Sequence, residues 1–350
     1  MSKTLLSILS AVIILYIVGC SSEEDPVAPE PNDYSQIITD YADEVVVATY
    51  HELEEKAGGL KTSIDTFVQS STQTNLDAAC DAWKAARVPW EMSEAFLFGP
   101  VAFLSLDPSM DSWPLDQSQL EQVLNSQFEL TPEFIRDGLG YSLRGFHTIE
   151  FLLFRDGSPR NVADVTQREK EYLSSVSQVL LEDTETLHNE WHDGFRDEFV
   201  NAGSSGSRYS SSTQAVQEII EGIIVIADEV GNGKIGDPYL TKDVLSVESQ
   251  FSWNSLTDFK NNILSIENAY MGKNPNGIDG TGLDDFIKEI NQTLDTRVKQ
   301  EITAAYNAID AIPEPFRNNL YADTPIIAAI EACNTLLNTF QEDVKPLITN

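Results

Sequence analysis

The segment Gly145-Phe146-His147-Thr148-Ile149-Glu150 sets an imidazole and a carboxylate three residues apart in an apolar run that continues Phe151-Leu152-Leu153-Phe154. On a helix, residues i and i+3 share a face, so the two side chains can converge. Gly145 carries no side chain that would obstruct a ligand or a neighbouring helix. Burying such polar groups is costly unless they are paired or bound to a metal. One imidazole and one carboxylate make two ligands, and a stable site needs more from another helix. The simpler reading is a hydrogen bond between His147 and Glu150 inside the core.

Other chemistries find less support. His51-Glu52-Leu53-Glu54-Glu55 begins like the zinc-peptidase signature H-E-x-x-H but ends in glutamate. The inverted signature fails because Phe151 stands where a histidine is required. No Ser/His/Asp pattern is present, and Cys80 has no histidine partner in sequence. His188 and His192, with Glu190 between them, are i and i+4 on one helix face. They flank Trp191, which belongs to an apolar stripe, so at least one of them points to solvent and the pair reads as a surface feature. Gly272 to Asp285 is acidic and glycine-rich but misses the calcium-loop spacing. It reads as a loop and a helix start, with Thr281 as cap and Asp284 and Asp285 in the first turn. Asp228 to Asp237 is read with the same reserve.

The elements that must position these groups are helical. Leu173, Val176, Leu180, Leu187, Trp191, Phe195 and Phe199 form one apolar stripe. Ile326, Ile330, Cys333, Leu337, Phe340, Val344 and Leu347 form another. A third runs from Ile37 through Tyr41 and Val45 to Leu53, with Gly58-Gly59 expected to end it. Stripes of this kind face one another in bundles. Pro100, Pro108 and Pro114 predict an irregular loop, and Gly157 to Asn161 separates two halves. Gly203 to Ser212, Gly231 to Tyr239 and Gly272 to Gly282 predict further loops. Glu94-Ala95-Phe96-Leu97-Phe98-Gly99 and Glu267-Asn268-Ala269-Tyr270-Met271-Gly272 suggest a duplication, with Arg87 and Lys260 upstream of each.

The 350 residues carry a net charge of -34, which argues against nucleic acid and anionic membrane surfaces. Lys3, the apolar stretch from Leu5 to Val18 and the ending Ile17-Val18-Gly19-Cys20 read as an export signal. The ending resembles a bacterial lipobox, with lipid attached at Cys20. Ser21 to Asp33, acidic and proline-rich, reads as a tether. Its Glu23-Glu24-Asp25 run resembles the surface-export signal of some Gram-negative lipoproteins. Cys80 and Cys333 remain, either as a disulfide or as two buried thiols.

The run Gly145 to Phe154 resembles the GxHxxE signature of the imelysin family, also called peptidase family M75. Trp83-Lys84-Ala85-Ala86-Arg87 and Trp90 to Pro100 resemble the family's first-half motif. Ser112-Trp113-Pro114-Leu115-Asp116 resembles its following loop, and Glu248 to Ile263 its second-half motif. The resemblance spans essentially the whole chain after the tether. It implies an all-α fold of two four-helix-bundle-like halves related by duplication, with the GxHxxE helix near their interface. The implied segments are a signal at 1–19, a tether at 20–34, and halves at 35–160 and 161–350.

Carried over residue by residue, the resemblance assigns His147 and Glu150 as metal ligands. Glu94 is the first choice for a further ligand, and Arg87 would hold a carboxylate or bind an anionic chelate. Trp113, Asn254, Ser255 and Asp258 lie in matching stretches as candidates for the surroundings of the site, with Gly145. Two carboxylates and an imidazole suit a hard cation such as iron. The expected function is binding of a metal ion or iron-bearing ligand in iron uptake, by a lipid-anchored envelope protein working with an envelope or outer-membrane transporter. The alternatives are an M75-type metallopeptidase using zinc at His147 and Glu150, and a surface protein that binds a non-metal ligand such as polysaccharide.

Overall fold

Apolar residues recurring every three or four positions bury one face of each long helix, and these faces meet in one continuous core. The computed structural model describes residues 32–349. The export signal, Cys20 and most of the tether lie outside the described residues. The principal helices are α1 (Ala48–Gln69), α2 (Gln73–Glu91), α3 (Gly145–Leu153), α4 (Gln167–Glu190), α5 (Ser212–Asp228), α6 (Ser255–Met271), α7 (Leu283–Asp310) and α8 (Asp323–Thr339). The strands among the described residues are a two-residue pair, Phe154–Arg155 against Ser158–Pro159. The fold is all-α, as expected. No helix among the described residues is long and apolar enough to cross a membrane.

The helices pack as two rings of four. In the first, α1 lies against α2, α2 against α3, α3 against α4, and α4 back against α1. In the second, α5 lies against α6, α6 against α7, α7 against α8, and α8 against α5. Helices α2 and α6 join the rings. By its packing α4 belongs with α1–α3, so the first set runs past the 160/161 division expected from the sequence. The Gly157–Asn161 break is instead part of a tight hairpin, with Asp156 and Gly157 both at positive φ. The two repeat-like segments have different surroundings. Arg87 is fully buried, whereas Lys260 pairs with Asp310 near the surface, and Glu267 pairs with Lys273.

Four local expectations are corrected. Gly58-Gly59 does not end its helix, because the stripe continues through Leu60, Ile64 and Phe67, all buried. Burial of those side chains outweighs a cost of about 1 kcal/mol per glycine. Gly231 to Tyr239 is not a loop but a π-helical segment, Glu229–Gly236, followed by the short helix Asp237–Thr241. Its Gly231 lets the backbone approach α8, where a Cβ would meet Cys333. At Gly272 to Gly282 the capping position is taken by Gly282, and the Thr281 amide donates to Asp40 instead. The proline-rich segment after Phe98 holds two short helices, Pro100–Phe103 and Leu106–Asp111.

The stripes from Leu173 to Phe199 and from Ile326 to Val344 are buried as expected, with Ile330 partly so. Trp191 anchors the first of them in an aromatic cluster with Tyr50, Phe98, Phe195 and Phe199. Cys80 and Cys333 are buried free thiols, and burial pushes both up to about 12. Gly59 has open space where a Cβ would stand. Gly59→Ala is therefore expected to stabilise the chain by about 0.5–1 kcal/mol in a denaturant titration. A loss of stability would mean that α1 is interrupted there.

Candidate metal centre

Arg87 is the hub of the buried polar residues. It lies on the last turns of α2 with no exposed surface, against the rings of Trp83 and Phe146. Its guanidinium pairs with Glu91, one turn on, and with Asp111. It also reaches Glu248 at 2.8 Å and Asp258 at 3.4 Å. Burial alone would lower its pKa, but these four carboxylates raise it well above its usual value. Lys234, from the π-helical segment, is a second buried cation. Its Nζ lies 3.2 Å from Glu248 Oε2, 3.5 Å from Glu91 Oε2 and 3.5 Å from Glu94 Oε1.

His147 and Glu150 do share a face of α3. The imidazole Nδ1 and Glu150 Oε2 are 3.2 Å apart. The other Glu150 oxygen accepts from the Phe251 amide at 2.9 Å, the Ser252 amide at 2.8 Å and the Ser252 hydroxyl at 2.7 Å. Both oxygens of Glu150 are thus engaged, one fixing the imidazole and one fixing the loop before α6. His147 Nε2 faces the other way, 3.2 Å from Asp111 Oδ1 and 3.8 Å from Glu248 Oε1. It makes no hydrogen bond among the described residues. Donor atoms of Asp111, His147 and Glu248 all lie within 4.8 Å of one another, and so do those of Glu91, Glu94 and Asp111.

Local structure explains how these segments meet. Gly145 has φ of 77°, and a Cβ on it would strike the Ser109 and Met110 carbonyls. Its bare backbone lets the start of α3 abut the segment that ends in Asp111. Asp111 is then oriented by Trp90 Nε1, which donates to Oδ2 at 2.7 Å. Asn262 on α6 donates to Glu91 Oε2 at 2.6 Å. Ser255 donates to the Glu248 carbonyl at 2.6 Å, and Asn254 to Asp258 Oδ1 at 2.7 Å. The Trp113 ring lies 6.2 Å from the His147 ring and 5.4 Å from Lys234 Nζ, covering one side.

Three groups that carry or can take positive charge, Arg87, Lys234 and His147, face six carboxyls: Glu91, Glu94, Asp111, Glu150, Glu248 and Asp258. The titration behaviour follows from this surplus. Burial raises Glu91 to about 8 against the pull of Arg87 and Lys234, and raises Glu94 well above the usual range. Burial likewise lifts Asp258 to about 6 despite Arg87. Asp111 goes the other way, because Arg87 and His147 overcome its burial and hold it well below the carboxylate range. For His147, burial favours the neutral ring, but Asp111 and the contacts with Asp111 and Glu150 raise it to about 10. Without a metal, protons offset the excess negative charge. A cation coordinated at His147 Nε2 would take over that role.

The structure thus brings together His147, Glu150, Glu94, Arg87, Gly145, Trp113, Asn254, Ser255 and Asp258, all singled out in the sequence. It adds Asp111, Glu248, Glu91 and Lys234. Glu91 and Glu248 sit in the motif-bearing stretches, but nothing in the sequence separates them from the other 54 acidic residues among the 56. Asp111 lies just before the Ser112–Asp116 stretch, and Lys234 lies in a segment read as a loop. His188 and His192 lie elsewhere: His188 Nδ1 is 2.5 Å from Glu54 Oε2, and His192 is exposed.

A family model described as imelysin matches residues 46–341. The chain is 30% identical to iron-regulated protein A of Synechococcus elongatus over 322 residues, covering 90% of this chain and 86% of that protein. Among solved structures, one described as an iron-regulated protein A precursor from Parabacteroides distasonis superposes with a TM-score of 0.84 at 36% identity, covering 92% of this chain and 97% of that one. An imelysin-like protein from Psychrobacter arcticum shares the fold, with a TM-score of 0.69 at 12% identity over 89% of this chain and 94% of that one.

Gly145→Ala is expected to cost about 1–3 kcal/mol from the positive φ alone, and more from the collision with residues 109 and 110. Chemical denaturation of the variant measures this. Stability equal to the parent chain would refute the close approach that sets Asp111 beside His147.

Proposed function

The chain belongs to the imelysin family, and we propose that it binds a metal ion, iron in the first instance, at Asp111, His147 and Glu248. The observation that carries this reading is the set of three buried donors within 4.8 Å of one another, with His147 Nε2 making no hydrogen bond. One imidazole with two carboxylates suits a cation between the hard and borderline classes, such as iron or manganese. Glu150 serves as the partner that orients the imidazole through Nδ1, the usual role of a carboxylate behind a metal-bound histidine. Glu91 and Glu94 supply further oxygen donors beside Asp111. Arg87 and Lys234 hold the carboxylates in place and leave the cluster short of positive charge.

Burial favours binding over hydrolysis. The side chains of Asp111, His147 and Glu248 are at most 4% exposed, so little surface among them is open to an extended peptide. An iron-related role is further supported by the relative named iron-regulated protein A. The export signal and Cys20 support a place in the cell envelope, anchored by lipid, where the protein would hold iron for a transporter.

Isothermal titration of chelator-treated protein with ferrous iron under anaerobic conditions tests the assignment. His147→Ala is expected to lose binding, and Glu150→Gln to weaken it by about 10- to 100-fold. Iron binding by His147→Ala with the affinity of the parent chain would end the proposal. Binding must also displace the His147 proton, held up to a pKa of about 10. The proton competes with the metal, so affinity falls as pH falls. The expected slope toward that value is at least about tenfold in affinity per pH unit. Titrations in buffers of different ionisation enthalpy measure the release, and pH-independent affinity would contradict it.

A further inference from the structure

Three of the chain's four histidines, His51, His188 and His192, line one surface depression of about 760 Å³. None of its lining residues belongs to the buried cluster. His51 is on α1, and His188 and His192 are four residues apart, at and just beyond the end of α4. The two helices pack side by side, which sets His51 opposite the pair. The His51 and His188 ring centres are 5.1 Å apart, and those of His188 and His192 are 5.7 Å apart. Two imidazoles sharing a tetrahedral ion at about 2.0–2.1 Å place their ring centres about 5 Å apart, so the ring spacing is close to what an ion needs, although the rings must turn to bring one donor nitrogen each toward it.

The tautomers suit coordination. His188 Nδ1 lies 2.5 Å from Glu54 Oε2, and His192 Nδ1 lies 2.7 Å from Asp193 Oδ1. A carboxylate at Nδ1 keeps the proton there and leaves the Nε2 lone pair for a metal. His51 and His192 are exposed, so their rings can turn to a common ion without disturbing the core. Glu52 and Glu55 line the same depression and have no hydrogen-bond or ion-pair partner among the described residues. They outnumber its one lysine, Lys56. Asp43 is already bound to Arg196.

We propose that His51, His188 and His192 form a second metal site, for a divalent transition ion that prefers nitrogen donors, of the zinc(II) class. Glu52 or Glu55 or a water completes the coordination. Imidazole-rich and surface-borne, this site differs in chemistry from the oxygen-rich buried cluster. The proposal does not depend on iron binding there.

Equilibrium dialysis of the chelator-treated mature chain against zinc(II), read by elemental analysis, tests it. His188→Ala is expected to bind one zinc fewer per chain than the parent. His51→Ala and His192→Ala should each weaken that equivalent at least about tenfold, and Glu54→Gln by about 10- to 100-fold. His147→Ala should leave it in place. Cobalt(II) at this site should give the visible absorption of a tetrahedral ion, absent in His188→Ala. Circular dichroism verifies that each variant keeps its helices. Zinc stoichiometry and affinity unchanged in His188→Ala would overturn the proposal. So would a neutral His51→Ala, which would reduce the site to two histidines on one helix.

Discussion

A guanidinium with no water contact is the constraint on which the centre of this protein depends. Arg87 cannot be buried alone, since the desolvation of an unpaired charge costs several kcal/mol. It is satisfied by carboxylates from four separate stretches: Glu91 on α2, Asp111 after the proline-rich segment, Glu248 before α6, and Asp258 on α6. Those stretches come from both helix rings, so pairing Arg87 also fixes the rings against each other where α2 meets α6. Ion pairs of this kind add little net stability over a well-packed apolar core. What they specify here is position.

The same pairing creates the chemistry. Enough carboxyls converge to satisfy Arg87 and Lys234 with some left over, and the surplus must take up either protons or a metal. His147 stands at the boundary between these options. Glu150 holds its Nδ1 side, and Nε2 faces Asp111 and Glu248 without a hydrogen bond. Glu150 also grips the backbone at Phe251 and Ser252, so one side chain couples the orientation of the imidazole to the loop that carries Glu248. The loop conformation is itself held, with Ser249 and Trp253 at positive φ, and the Trp253 ring packed over Gly157 of the hairpin.

Histidines thus occupy two contrasting environments. One is deep, ringed by oxygen donors and braced by a carboxylate from its own helix. Three are at the surface, near one another across two helices. The overall negative charge acts on both, raising the local concentration of cations around the chain.

The sequence by itself determined the helical class, the apolar stripes, the pairing of His147 with Glu150 and the need for a bare Gly145. Each of these is local: it follows from helical periodicity, or from neighbours three residues apart on one turn. The family motifs also led to Arg87, Glu94, Trp113, Asn254, Ser255 and Asp258. Only the tertiary structure decided which acids join them. Asp111 and Glu248 are 137 residues apart, and their meeting depends on how α3, α6 and the proline-rich segment pack. Local spacing could not reveal Lys234 either, because its glycine-rich surroundings read as a loop until packing against α8 made them a π-helix. In the same way His51 and the pair His188 and His192 were unrelated positions until α1 and α4 came side by side. A donor set drawn from distant segments is a property of packing, and one-dimensional periodicity carries no record of it.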